Sequence, residues 1–224
     1  MLLINLFTSS DLLIVLISIV VYLSVLFIVM PAHEFSHAWA AKRQGDYTAY
    51  YMKRYTLAPF SHIDAKGFLF LVIFGFGWAK PVPVDPRNYK RGKWSEVCVS
   101  LAGVTTNIIQ GIIFCGLYSA FMNFVPATIN IYIWYAYYMF FNYGVIISFS
   151  LALFNLLPIY PLDGFRFIEA VTRPDNGFVS FVRRNSFWLF IIVYLFLSAY
   201  FDALLYPMAN GIIGLWNKLF GLFV

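Results

Sequence analysis

Residues 12–30 carry no charged side chain, and their only polar groups are hydroxyls. At 1.5 Å per residue this run predicts a helix of about 28 Å, close to the thickness of a bilayer's hydrocarbon layer. The apolar pattern continues through Pro31 and Ala32 into His33-Glu34-Phe35-Ser36-His37. Pro31 predicts a kink or break there, because it has no N–H and crowds the preceding turn. Three further long apolar stretches follow, at about 97–124, 131–154 and 186–206. Residues 67–79 are apolar but short and Gly-rich, with basic segments on both sides, which predicts a re-entrant or interfacial piece rather than a span. Residues 80–93 hold three prolines and five basic residues, which excludes a membrane helix and predicts a short extended piece at the membrane surface. Residues 208–224 are short and contain Lys218, so pattern alone does not decide whether they, or 67–79, cross.

The expected fold is therefore an all-α polytopic membrane protein with about four to five transmembrane helices and a re-entrant or short extended segment near the cytoplasmic face. Residues 1–224 read as one membrane-embedded domain, with no internal repeat and no appended soluble domain. No Lys or Arg precedes Leu12 and no small-residue cleavage site follows the first run, so that span is expected to remain in the mature chain.

Composition strengthens this picture. The chain of 224 residues is 62% hydrophobic and only 11% charged, whereas soluble domains carry roughly a quarter charged residues. Its net charge of +5 does not imply nucleic acid, because the charges gather in connecting segments. Every Lys and Arg except Lys218 falls within 42–96 or 164–185. Four alternating crossings put both regions on one side, and an excess of basic residues marks that side as cytoplasmic, with the N-terminus outside. Cys98 and Cys115 sit in or beside an apolar stretch and read as free, small core residues.

The chemistry begins at His33-Glu34-Phe35-Ser36-His37. Residues four apart lie on one face of a helix, so both imidazoles can hold one zinc ion. Glu34 can then take a proton from water at the metal. A chance match is a weak explanation, since the chain has only three histidines and Glu34 stands at the edge of a span, where ionisable groups are costly. Such a site needs a third protein ligand. Asp163, in Asn155-Leu-Leu-Pro158-Ile-Tyr-Pro161-Leu162-Asp163-Gly164, is the best candidate, because alternation brings the end of the third long run to the side where the first run ends. The plainer alternative makes Asp163 the cap of a cytoplasmic turn.

Together, the His33–His37 motif and the N-x-x-P-x-x-x-L-D-G pattern from Asn155 to Gly164 resemble the site-2 protease family, intramembrane zinc metalloproteases that cleave membrane-embedded segments of other proteins. The resemblance extends to Phe76-Gly77-Trp78-Ala79-Lys80-Pro81-Val82-Pro83-Val84, to Asn88, and to Ala102-Gly103 with Asn107, as in the short bacterial members. It implies His33, His37 and Asp163 as zinc ligands, Glu34 as catalytic base and acid, and Asn155 and Asn107 as substrate-binding residues. Two departures lie outside the metal set: Val104 stands where the family has Pro, and His62-Ile63-Asp64-Ala65-Lys66-Gly67 replaces its H-I-D-P-x-G. His62 reads as a surface or hydrogen-bonding loop residue, with a supporting or extra metal ligand as the alternatives.

The expected partners are transmembrane protein substrates, the lipid bilayer and a regulatory membrane protein, with no nucleic acid. Oligomeric state is not legible. A transmembrane substrate hides its carbonyls in helical hydrogen bonds, so it must unwind, and an exposed strand edge within 67–84 is expected to hold it by strand addition. Two competing readings are non-proteolytic. A transporter predicts polar residues spread along several spans, whereas the ionisable groups here concentrate near one depth. An inactive, substrate-retaining relative predicts loss of Glu34, which is present.

Overall fold

The computed structural model describes residues 11–74, 77–126, 128–173 and 176–221, without the side chains of 71–74 and 194–202. Helix α1 spans Leu12–Gln44, beginning at an Asp11 cap whose side chain accepts from the Leu13 N–H. Pro31 lies inside this helix without interrupting it, so the apolar run and the His33–His37 motif belong to a single helix. The expected break is absent because only one hydrogen bond is forfeited, and the turns on either side remain helical.

Helix α2 (Thr48–Tyr51) lies in the polar segment that follows, and helix α3 (Ala65–Phe74) takes up most of the short apolar stretch after it. Helix α4 (Lys93–Phe124) and helix α5 (Ile131–Asn155) form an antiparallel pair, followed by the short helix α6 (Asp163–Val171) and the long helix α7 (Gly177–Phe220). Among the described residues, α1, α4 and α5 are long and apolar enough to cross a membrane. The expected spans near 186–206 and the doubtful 208–224 instead lie on one helix, α7, which continues through Pro207; residues 222–224 fall outside the described part.

The expected re-entrant piece at 67–79 is largely helix α3, and residues 75–76 lie outside the described part. One antiparallel bridge, Ile63 to Ala79, closes the chain around it. Residues 80–85, which follow it, form no helix, as Pro81 and Pro83 require.

Helix α4 is central, packing against α1, α5, α6 and α7. The main apolar cluster joins Val25, Leu26 and Val29 of α1 to Phe114 and Cys115 of α4, with Tyr143, Ile147 and Phe149 of α5. Contacts between α4 and α5 are reciprocal. Phe149 lies over Gly111 and Phe114 over Gly144, so close that a Cβ on either glycine would sit 2.5 Å or less from the ring. Small residues allow such approach where lipid supplies no hydrophobic drive between helices. Leu12, Leu16 and Val20 stay exposed on α1, as expected of a helix long and apolar enough to cross a membrane.

Candidate active site

Three elements converge at the end of α1. His33 and His37, one turn apart, present their Nε2 atoms 3.2 Å from each other. Asp163 Oδ2 lies 3.3 Å from His33 Nε2 and 3.2 Å from His37 Nε2. All three side chains are buried. Asp163 reaches them because the chain turns after α5 through Pro158 and Pro161 and restarts as α6 at Asp163 itself, whose carboxylate gains from the positive end of that helix. Gly164 permits the turn: a Cβ there would fall 2.2 Å from the Leu156 carbonyl oxygen.

The donor set fits a zinc ion. Tetrahedral ligands at about 2.05 Å from a metal stand about 3.3 Å from each other, which matches the three distances measured. Asp163 Oδ2 is buried and has no hydrogen bond of adequate geometry, a costly state that a cation removes. Burial alone would raise the Asp163 carboxyl, but the His37 and His33 imidazoles hold it well below the usual carboxylate range. The opposite wall is Gly103 of α4, where a Cβ would lie 2.4 Å from His37 Nε2 and 2.5 Å from His33 Nε2. A side chain at 103 would therefore intrude on the space between the ligands. The Gly103 signal was readable in the sequence only as part of Ala102-Gly103.

Glu34 is half-buried beside this cluster, and its Oε2 accepts the Val82 backbone N–H at 2.9 Å. A cavity of ≈ 100 Å³ opens onto the group, lined by Glu34, the two histidines and Asp163 together with Val82, Asn155 and Arg166. Asn155 ends α5 and donates to the Leu151 carbonyl at 3.0 Å, retaining an amide hydrogen and its oxygen for other partners. Arg166 was not singled out from the sequence, although it stands three residues from Asp163 on the same helical face. Asn107 is not in the cavity wall: it is wholly buried on α4, behind His33. His62 is also buried, with Nε2 on the Thr56 carbonyl at 2.8 Å, and it is not one of the three clustered donors.

Residues 80–85 run past the cavity under several restraints. Lys80 N–H donates to the His62 carbonyl, and Arg54 Nη2 donates to the Lys80 carbonyl at 2.6 Å. Buried Asp46 accepts from Asp85 N–H at 2.8 Å and from Asn88 Nδ2 at 3.0 Å. With Pro81 and Pro83 lacking an N–H and Val82 engaged by Glu34, only Val84 in this stretch keeps an N–H for an added strand. The edge expected within 67–84 is correspondingly poor in donors, because its first part is helix and its second part is proline-rich.

The chain is 33% identical over 207 residues to "Putative zinc metalloprotease YwhC" of Bacillus subtilis (strain 168), an alignment covering 87% of this chain and 88% of that protein. The model of peptidase family M50 matches residues 124–199. The chain belongs to peptidase family M50, the site-2 proteases. The M50 match includes Asn155 and Asp163, and the aligned relative extends the likeness over most of the chain. No solved structure matches it.

Proposed function

We propose that this M50 protein is a zinc-dependent intramembrane protease that hydrolyses peptide bonds in or near transmembrane segments of other membrane proteins. The observation that carries this reading is the trio of His33, His37 and Asp163 at zinc-ligand spacing, with Glu34 beside it, at the end of a membrane-length helix. His33, His37 and Asp163 hold the ion. When bound, zinc supplies a Lewis acid that brings the pKa of a water towards 7 and polarises the carbonyl under attack.

Glu34 takes the proton of the attacking water and delivers it to the leaving amine. The Val82 N–H aims the Glu34 carboxylate, leaving its second oxygen for that proton. Asn155 binds the substrate backbone, and Arg166 offers its guanidinium to peptide carbonyls at the cavity mouth. A transmembrane helix hides its carbonyls in internal hydrogen bonds, so the substrate enters locally unwound. The distribution of basic residues supports a multi-pass orientation with the site near the cytoplasmic face.

The direct test is to map the cut. The purified protein, with zinc in detergent, is incubated with a single-span model substrate and the products are weighed by mass spectrometry. Cleavage within or at the edge of the span supports the proposal. Cleavage confined to soluble tails, with the span never cut, overturns it.

A further inference from the structure

Helix α4 presents Val99, Gly103 and Asn107 to the two histidines at intervals of four residues, so the three form one stripe along the helix. Each member meets the site in a different way. The Val99 carbonyl lies 2.8 Å from His37 Nδ1. Gly103 leaves room between the histidines. The Asn107 amide nitrogen lies 3.0 Å from His33 Nδ1.

These two imidazoles are held differently. A backbone carbonyl only accepts, so Val99 fixes the proton of neutral His37 on Nδ1 and leaves the Nε2 lone pair facing the cluster. Asn107 can donate or accept. Donating from Nδ2, it meets a lone pair on His33 Nδ1, which puts the His33 proton on Nε2, the atom that must bind the metal. This arrangement also leaves Asn107 Oδ1 buried without a hydrogen-bond partner. Half a turn of the Asn107 amide exchanges its oxygen and nitrogen in nearly the same volume. Oδ1 then accepts from His33 Nδ1–H, and Nε2 is freed for a cation that also satisfies Asp163 Oδ2.

We propose that Asn107 is the positioning residue that selects the metal-binding tautomer of His33, its Oδ1 accepting the Nδ1 proton in the zinc-loaded protein. The site-2 resemblance implied substrate binding for this residue, and full burial behind His33 argues for the supporting role. The inference rests on the zinc reading of the site.

The test compares zinc affinity, by chelator competition in detergent, for wild type, Asn107→Leu and Asn107→Asp. Loss of a hydrogen-bonding partner behind a ligating histidine typically costs about 10–100-fold in metal affinity. Asn107→Leu is expected to weaken zinc by that factor, whereas Asn107→Asp, which keeps an acceptor, retains affinity within a few-fold of wild type. Nitrogen-15 histidine spectra of zinc-loaded wild type are expected to place the His33 proton on Nδ1. Equal zinc affinity in all three proteins overturns the assignment while leaving the zinc site standing, whereas a proton on Nε2 overturns the assignment and His33 as an Nε2 ligand together. Asn107→Asp as weak as Asn107→Leu also overturns it. Wild type that binds no zinc removes the underlying reading as well.

Discussion

The backbone N–H of Val82 donates to Glu34 Oε2 at 2.9 Å, tying an extended, proline-flanked segment to the acid of the His33–His37 helix across 48 residues of sequence. A carboxylate that must collect and return a proton gains from being aimed, because misplacement costs rate even when the group is present.

Replacing Val82 with Pro deletes this one donor at a position already flanked by Pro81 and Pro83. A hydrogen bond to a charged group contributes about 1.5–3 kcal/mol, so kcat is expected to fall about 10–100-fold with zinc content unchanged. Steady-state cleavage together with metal analysis checks this, and unchanged kcat would show that Glu34 is aimed by something else.

Gly103→Ala separates metal binding from helix stability. Alanine favours a helix over glycine by about 1 kcal/mol, yet its Cβ would lie 2.4 Å from His37 Nε2. The variant is expected to stay folded by circular dichroism and to emerge from dialysis nearly free of zinc. A variant that keeps stoichiometric zinc contradicts the close approach of α4 to the ligands.

Asp46 gives a prediction with a defined pH dependence. Burial would raise its carboxyl, but hydrogen bonds from Thr48, Asp85 and Asn88 hold it below the usual range. A carboxylate depressed by folding stabilises the native state above its unfolded value of about 3.9, and that contribution disappears as pH falls through the lower folded value. Asp46→Asn is therefore expected to loosen residues 82–88 at neutral pH by about 1–3 kcal/mol. The difference from wild type should shrink below about pH 4. Amide hydrogen exchange measured for both proteins at several pH values reads this directly. Equal protection at pH 7 would remove Asp46 as the anchor of the segment.

Much of the site was legible because its chemistry is local or topological. His33, Glu34 and His37 share about one helical turn, and the alternation of spans predicts Asp163 on their side, where it lies beside both histidines. What the pattern missed depends on packing. Pro31 does not end α1, because a long apolar helix held by α4 and α5 tolerates one missing hydrogen bond. Residues 67–79 carry no periodicity that separates a short helix from an interfacial loop, and α3 is decided by the closure from Ile63 to Ala79. Apolar stretches at 186–206 and 208–224 read as two pieces, with Pro207 between them, yet α7 continues from the first into the second as far as Phe220. Asn107 was found as a residue type in a motif, but its place behind His33 follows from the antiparallel packing of α4 on α1, which one strand of sequence does not encode locally.

The central claim is that Glu34 moves protons at a zinc site built from His33, His37 and Asp163. The measurement that tests it most directly is zinc content and cleavage of a single-span substrate for wild type, Glu34→Gln and Asp163→Asn, purified side by side. Wild type is expected to hold one zinc per chain and cut, Glu34→Gln to hold zinc and lose cleavage by at least about 1,000-fold, and Asp163→Asn to lose both zinc and cleavage. Cleavage that survives Glu34→Gln, or full zinc retention in Asp163→Asn, would contradict the account.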